Sequence, residues 1–222
     1  FKDSELKETL RDKVTGNFSA SLKLYATEFS KNLPVSQNIE LYPLFDAFEN
    51  GTQRYLERPY NNNVTSNGAS WFYKNNGTSK TSWSNIVANT TASFSGSSSP
   101  VSGGLWYTGS GFETTQSIEI TNDFDLNFNV TSQIQKFYSS SQFSSTYPDG
   151  IVNNGFIILR ENDVYKNSTD QGTLKYFSVD TNTIFSPNLA IKWDDSSYIT
   201  SSGATALNSG KIQLHINNNK GV

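Results

Sequence analysis

The sequence predicts an all-β protein, an antiparallel β-sandwich of jelly-roll-like type with one or two short helices. Three observations predict it. Apolar and polar residues alternate strictly in seven separate runs, the signature of strands with one buried face. Asn-Gly dipeptides punctuate the runs where tight turns need positive φ. Aromatics make up 14% of the chain against a hydrophobic content of only 35%, so much of the burial must come from rings, which suit a pleated surface.

The elements follow in order. The charged opening stretch, 1–16, spaces Leu6, Leu10 and Val14 by fours and reads as a connector or a short amphipathic helix. From residue 17 the period becomes two. Phe18, Ala20, Leu22, Leu24 and Ala26 face one way and Ser19, Ser21, Lys23 and Tyr25 the other. Ile39 and Leu41 alternate with Glu40 and Tyr42. Ile118 and Ile120 follow, then Phe124, Leu126, Phe128 and Val130 set against Asp125, Asn127, Asn129 and Thr131. A helix capped by Thr131 or Ser132 should come next, with Val130, Ile134 and Phe137 on one side. Phe156–Arg160 and the set Leu189, Ile191 and Trp193 complete a single domain over 17–200. Ile212, Leu214 and Ile216 add a strand in 201–222, the start of a following segment. The Ser/Gly-rich stretch from Asn89 to Gly104 reads as a long exposed loop.

Turns are expected at Asn50-Gly51, Asn67-Gly68, Asn76-Gly77 and Asn154-Gly155. The chain opens at Phe1 without Met, which suggests either a removed leader or a segment of something longer. A net charge of −3 argues against nucleic acid, which needs a basic face. No apolar run approaches the roughly 20 residues that span a bilayer, so no membrane insertion is expected. With no Cys, there is neither disulfide nor thiolate chemistry. Seven Asn-x-Ser/Thr sequons occur, about what chance supplies in a chain so rich in these residues, so they say little about glycosylation.

The chemistry expected is none. A Ser/His/Asp hydrolase needs a His to move protons, and the one His, His215, sits on the polar side of a late strand with no Gly-x-Ser-x-Gly elbow elsewhere. Asp194 and Asp195 are adjacent, so on a strand they point to opposite faces and cannot both flank one glycosidic bond unless the strand has ended. Asp180 and Glu161 lie apart from them. No metal and no cofactor are expected, calcium being the ion such loops recruit. The stretch Asp123-Phe-Asp125-Leu-Asn127, though, alternates like a strand and lacks the Gly and terminal Glu of an EF-hand loop. Trp71, Trp83, Trp106 and Tyr107, with Phe72 and Tyr73, could stack sugars if exposed. The competing reading plugs at least two of the tryptophans into the core.

In order, ASLKLYATE (20–28), IELYPLFDAFENGT (39–52), GGLWYT (103–108), FDLNFNVTSQIQKFY (124–138), NNGFIILRE (153–161) and LKYFSVDTNTIFSPNLAIKWDDSSY (174–198) resemble a β-sandwich group. It includes DNRLRE-type surface domains and related carbohydrate-binding modules. The closing block is similar to structural proteins of tailed bacteriophages. The resemblance covers about Ser19 to Tyr198. Two departures stand out, a weak strand before ASLKLY and an added strand after Tyr198. The resemblance implies a sandwich and a structural, non-enzymatic role in a virion (tail, baseplate, neck or fibre attachment). Other virion proteins would then be the partners, in a homo- or hetero-oligomer. The alternative it implies is a carbohydrate-binding module that recognises a host surface glycan or a polysaccharide.

Overall fold

The computed structural model describes residues 4, 6, 10, 18–30, 32–51, 67–96, 99–119, 121, 124–138, 150–161, 171–181, 183–194 and 211–216. In chain order the elements are β1 (Phe18–Leu24), β2 (Ala26–Phe29), β3 (Ser36–Pro43), β4 (Tyr73–Asn75), β5 (Thr81–Ser82), β6 (Thr90–Gly96), β7 (Ser99–Tyr107), β8 (Thr114–Glu119) and β9 (Leu126–Asn129). Helix α1 (Thr131–Tyr138) follows, then β10 (Phe156–Arg160), β11 (Leu174–Tyr176), a 3-10 turn (Val179–Thr181), β12 (Asn188–Asp194) and β13 (Lys211–Ile216). The architecture is all-β and β-sandwich-like, with antiparallel pairing and one short α-helix among the described residues.

The chain forms two compact units. One comprises Phe1–Ser36, Gln116–Ile151 and Gln171–Val222; the other comprises Gln37–Thr115 and Val152–Asp170. Each is assembled from segments distant in sequence, so no linker or composition shift marks a border.

In the first unit the sheet order is β13-β12-β1-β9. Its register explains the alternation. Residues directly opposite in an antiparallel pair share a face, and Ala20 lies opposite Ile191, Leu22 opposite both Leu189 and Phe128, and Leu24 opposite Leu126. The apolar set therefore stacks on one side, where Ala20, Leu22, Leu126, Phe128, Leu189 and Ile191 are all buried. A slip of one residue would turn every one of them outward. β13 joins this sheet along β12, with Leu214 opposite Ile191 and His215 opposite Ala190.

The expected run from Phe18 to Ala26 is two strands. It breaks at Tyr25, whose carbonyl accepts the Phe177 N–H at 3.0 Å. The Asp125 carboxylate takes the Ala26 N–H at 2.7 Å, and β2 then pairs with β11 instead. The helix starts at Thr131, but Thr131 is not its cap. The Asn129 side-chain oxygen accepts the Thr131 N–H at 3.1 Å and its hydroxyl at 2.7 Å, an Asn doing what caps do. The Thr131 hydroxyl in turn accepts the Ala20 N–H at 2.9 Å, tying α1 to β1. Ile134 and Phe137 are buried as expected, with Gln133 and Tyr138 beside them. Near the start of the chain Leu6 and Leu10 are buried, while Val14 and Ile120 lie outside the described residues.

In the second unit β3 pairs with β10, from Pro43 opposite Phe156 to Ile39 opposite Arg160. Ile39 and Leu41 bury while Glu40 and Tyr42 keep partial exposure, as period two requires. β4 pairs with β5, and β6 with β7. This last hairpin overturns the expected loop from Asn89 to Gly104. Thr90, Ser93 and Ser102 are buried, and the Ser93 hydroxyl donates to the Gly103 carbonyl at 3.1 Å. Small hydroxylated residues satisfied in this way can line a strand as well as a loop. Of the four Asn-Gly dipeptides, Gly51 and Gly155 take positive φ, 77° and 87°, whereas Gly68 and Gly77 do not.

Candidate functional site

The aromatic residues come first. Trp83 is buried, and its indole N–H is shared between the carbonyls of Ser70 and Trp71, at 3.2 Å each. With Val101 and Leu105 it forms a core cluster on which Phe45 and Ala92 pack. Trp106 is buried beside Tyr42, ring centres 5.9 Å apart. Tyr107 is buried between Phe45 and Phe112, stacking on the latter at 5.3 Å and 14°. Only Trp71 of the four candidates keeps a wet face, at 45% exposure, with Phe72 next to it at 56%. A stacking platform needs rings open on one side, so the four do not make one surface. The other three are packed into the interior of the second unit with Leu44, Val101 and Leu105.

The polar candidates are dispersed. The Glu161 carboxylate accepts the Asn38 side-chain N–H at 2.6 Å, holding the end of β10 to β3. Asp125 is committed to the Ala26 N–H. Asp194 lies in β12 opposite Lys211, Asp180 lies in the 3-10 turn, and Asp123 and Asp195 fall outside the described residues. Among the described residues no three His, Cys, Asp or Glu side chains converge as metal ligands would. No helix among them is long and apolar enough to cross a membrane.

Two polar centres in the second unit had no sequence signal. Asp46 is buried and accepts Lys74 Nζ at 3.1 Å, the Ser84 N–H at 2.7 Å and the Ser84 hydroxyl at 2.6 Å. Tyr42 donates its hydroxyl to Glu40 at 3.2 Å. Burial first, and then the charges of Glu40 and Glu113, push the Tyr42 phenol well above its ordinary range.

A polar cleft of about 400 Å³ lies beside Phe48, bordered by Glu49 to Gly51, Asn67, Asn75 and Gly77 to Ser79. Three of the four Asn-Gly dipeptides meet there, brought together by backbone bonds. The Glu49 N–H donates to the Lys74 carbonyl at 3.0 Å, the Ala69 N–H to the Glu49 carbonyl at 2.8 Å, and the Asn76 N–H to the Gly68 carbonyl at 3.1 Å. A Cβ on Gly51 would stand 2.8 Å from the Gly68 nitrogen, so these two residues are glycine because their backbones touch. Sequence reasoning saw each dipeptide as a separate turn; their recurrence within 28 residues was the available sign that they belong together.

Against known proteins the chain stands apart: no protein-family model matches it, nor does any curated protein or solved structure.

Proposed function

We propose that the chain is a structural, non-enzymatic component of a tailed-phage particle, working through stiff antiparallel sheets and surfaces that dock neighbouring particle proteins in the tail, baseplate, neck or fibre attachment. The observation that carries the docking role is a ring-rich surface on the first unit. Phe185 contacts Tyr25 and Phe177, with ring centres 5.5 and 5.6 Å away, yet stays 45% exposed, while Ile184 is 89% and Val179 57% exposed. Scattered apolar residues need no explanation, but grouped ones mark interaction surfaces. Only 17% of the residues are charged, which suits wet, hydrogen-bonded contacts. The particle itself is supported by the resemblance of the segments from Ser19 to Tyr198. The absence of catalysis is supported by the lone His215 and the missing nucleophile elbow. Density-gradient sedimentation tests the reading: an antibody against the chain should detect it in the particle band and not solely at the top of the gradient.

A second reading, a carbohydrate-binding module for host or polysaccharide recognition, is favoured by Trp71 and Phe72, consecutive rings that both remain about half exposed.

A further inference from the structure

The geometry points to a binding site for a neutral saccharide in the cleft beside Phe48, an inference that rests on the second reading but moves it to different residues. The lining has the chemistry that a pyranose requires. Phe48 presents a ring 40% exposed, and the apolar face of a sugar packs on such a ring. Asn50, Asn67, Asn75, Thr78 and Ser79 line the cleft around it. A carboxamide offers two N–H donors and a carbonyl acceptor, and a hydroxyl both donates and accepts. Those are the complements of sugar hydroxyls, each of which does both.

Other ligand classes fit less well. A phosphate or other polyanion would need cationic partners, and the lining contains no Lys, Arg or His but does contain Glu49. An apolar ligand would need predominantly apolar walls, and here Phe48 is the only large apolar side chain on the rim. A volume of about 400 Å³ lies in the usual range for small-molecule sites.

The walls are set before any ligand arrives. The Asn75 side-chain oxygen accepts the Gly77 N–H at 2.7 Å, which fixes that amide's orientation at the cleft. A Cβ on Gly68 would stand 2.8 Å from the Asn50 carbonyl oxygen, so the two Asn-Gly turns are packed backbone to backbone. Fixed donors and acceptors spare a ligand the cost of ordering them.

The test is an NMR titration of the isotope-labelled chain with hexasaccharides of glucose, mannose, galactose and N-acetylglucosamine, each to about 10 mM. At least one should shift the amides of Phe48, Gly77 and Thr78. Phe48→Ala should weaken that sugar about tenfold or more, as loss of a stacking ring does, and Thr78→Ala should weaken it less, both with unchanged spectral dispersion. Ile86→Ala, an exposed apolar position off the cleft, should bind like the parent. Binding lost in Trp71→Ala and kept in Phe48→Ala would overturn the cleft and leave the carbohydrate reading standing. No shift with any of the four sugars would overturn both.

Discussion

The side chain of Gln116 closes the outer edge of β9 at Asn127. Its Oε1 accepts the Asn127 N–H at 2.6 Å, while its Nε2 donates to the Asp125 carbonyl at 3.0 Å. One carboxamide thus takes the place of a strand's N–H and C=O, and an edge that could pair with another chain is covered.

Gln116→Ala should therefore lower stability by about 1–2 kcal/mol, the net value of a pair of such bonds, and should speed hydrogen exchange at the Asn127 amide. Gln116→Glu keeps the acceptor but sets a carboxylate oxygen against the Asp125 carbonyl, so at neutral pH it should be no more stable than the alanine variant. Unchanged exchange at Asn127 in both variants would contradict the clasp.

Asp46 should be among the least replaceable polar residues. Asp46→Ala removes the acceptor of both Ser84 donors and the counter-charge of Lys74; Lys74 keeps partial access to water, so the cost should be about 2–4 kcal/mol, mostly from the unsatisfied Ser84 donors. Asp46→Asn keeps an acceptor oxygen and the shape, and should cost less, about 1–3 kcal/mol. Urea unfolding of the two variants checks the order.

Gly103 holds the β6–β7 hairpin against its neighbours. Its φ is +77°, its N–H donates to the Trp71 carbonyl at 2.6 Å, and an added Cβ would collide with the Ser93 side chain and stand 2.7 Å from the Trp71 ring. Gly103→Ala should thus lose more than the roughly 1 kcal/mol typical of a point change, and it should also alter the environment of Trp71, seen as a shift in tryptophan fluorescence.

Tyr42 gives the fold a defined alkaline weakness. Its folded pKa is raised above the ordinary value of 10.0. Between those two values the folded chain holds a proton that the unfolded chain releases, so stability present below about pH 10 is lost as pH rises further. Tyr42→Phe should flatten that part of the decline in melting temperature. An absorbance titration of phenolate formation should show one tyrosine ionising later than the exposed ones in the parent and not in the variant.

The sheet of the first unit was readable because its signal is local. Phe124, Leu126, Phe128 and Val130 alternate with polar residues, and all four are buried. The break at Tyr25 was not readable, because the groups that cause it, Asp125 and Phe177, lie about 100 and 150 residues away. The β6–β7 hairpin was hidden by composition: Ser and Gly suggest a loop until Ser93 and Ser102 are seen inside, close to another backbone. β10 shows the converse. Phe156 to Arg160 reads as a strand and forms one, yet its side chains stay partly exposed and Ile158 is 38% open. For the aromatics, residue type foretold importance but not direction, since the partners of Trp83 and Trp106 that decide burial come from elsewhere in the chain. The cleft was invisible for the same reason: Phe48 and Thr78 are 30 residues apart.

The central claim is that this protein works as a repeated, built-in part of a virus particle. Quantitative mass spectrometry of gradient-purified, nuclease-treated particles tests it most directly, following the peptide from Tyr176 to Lys192 against a major capsid peptide. The account predicts a constant ratio across particle preparations, corresponding to several copies per particle, as closed symmetry requires. Recovery of the peptide only from the soluble fraction of infected cells, with none in particles, would contradict it.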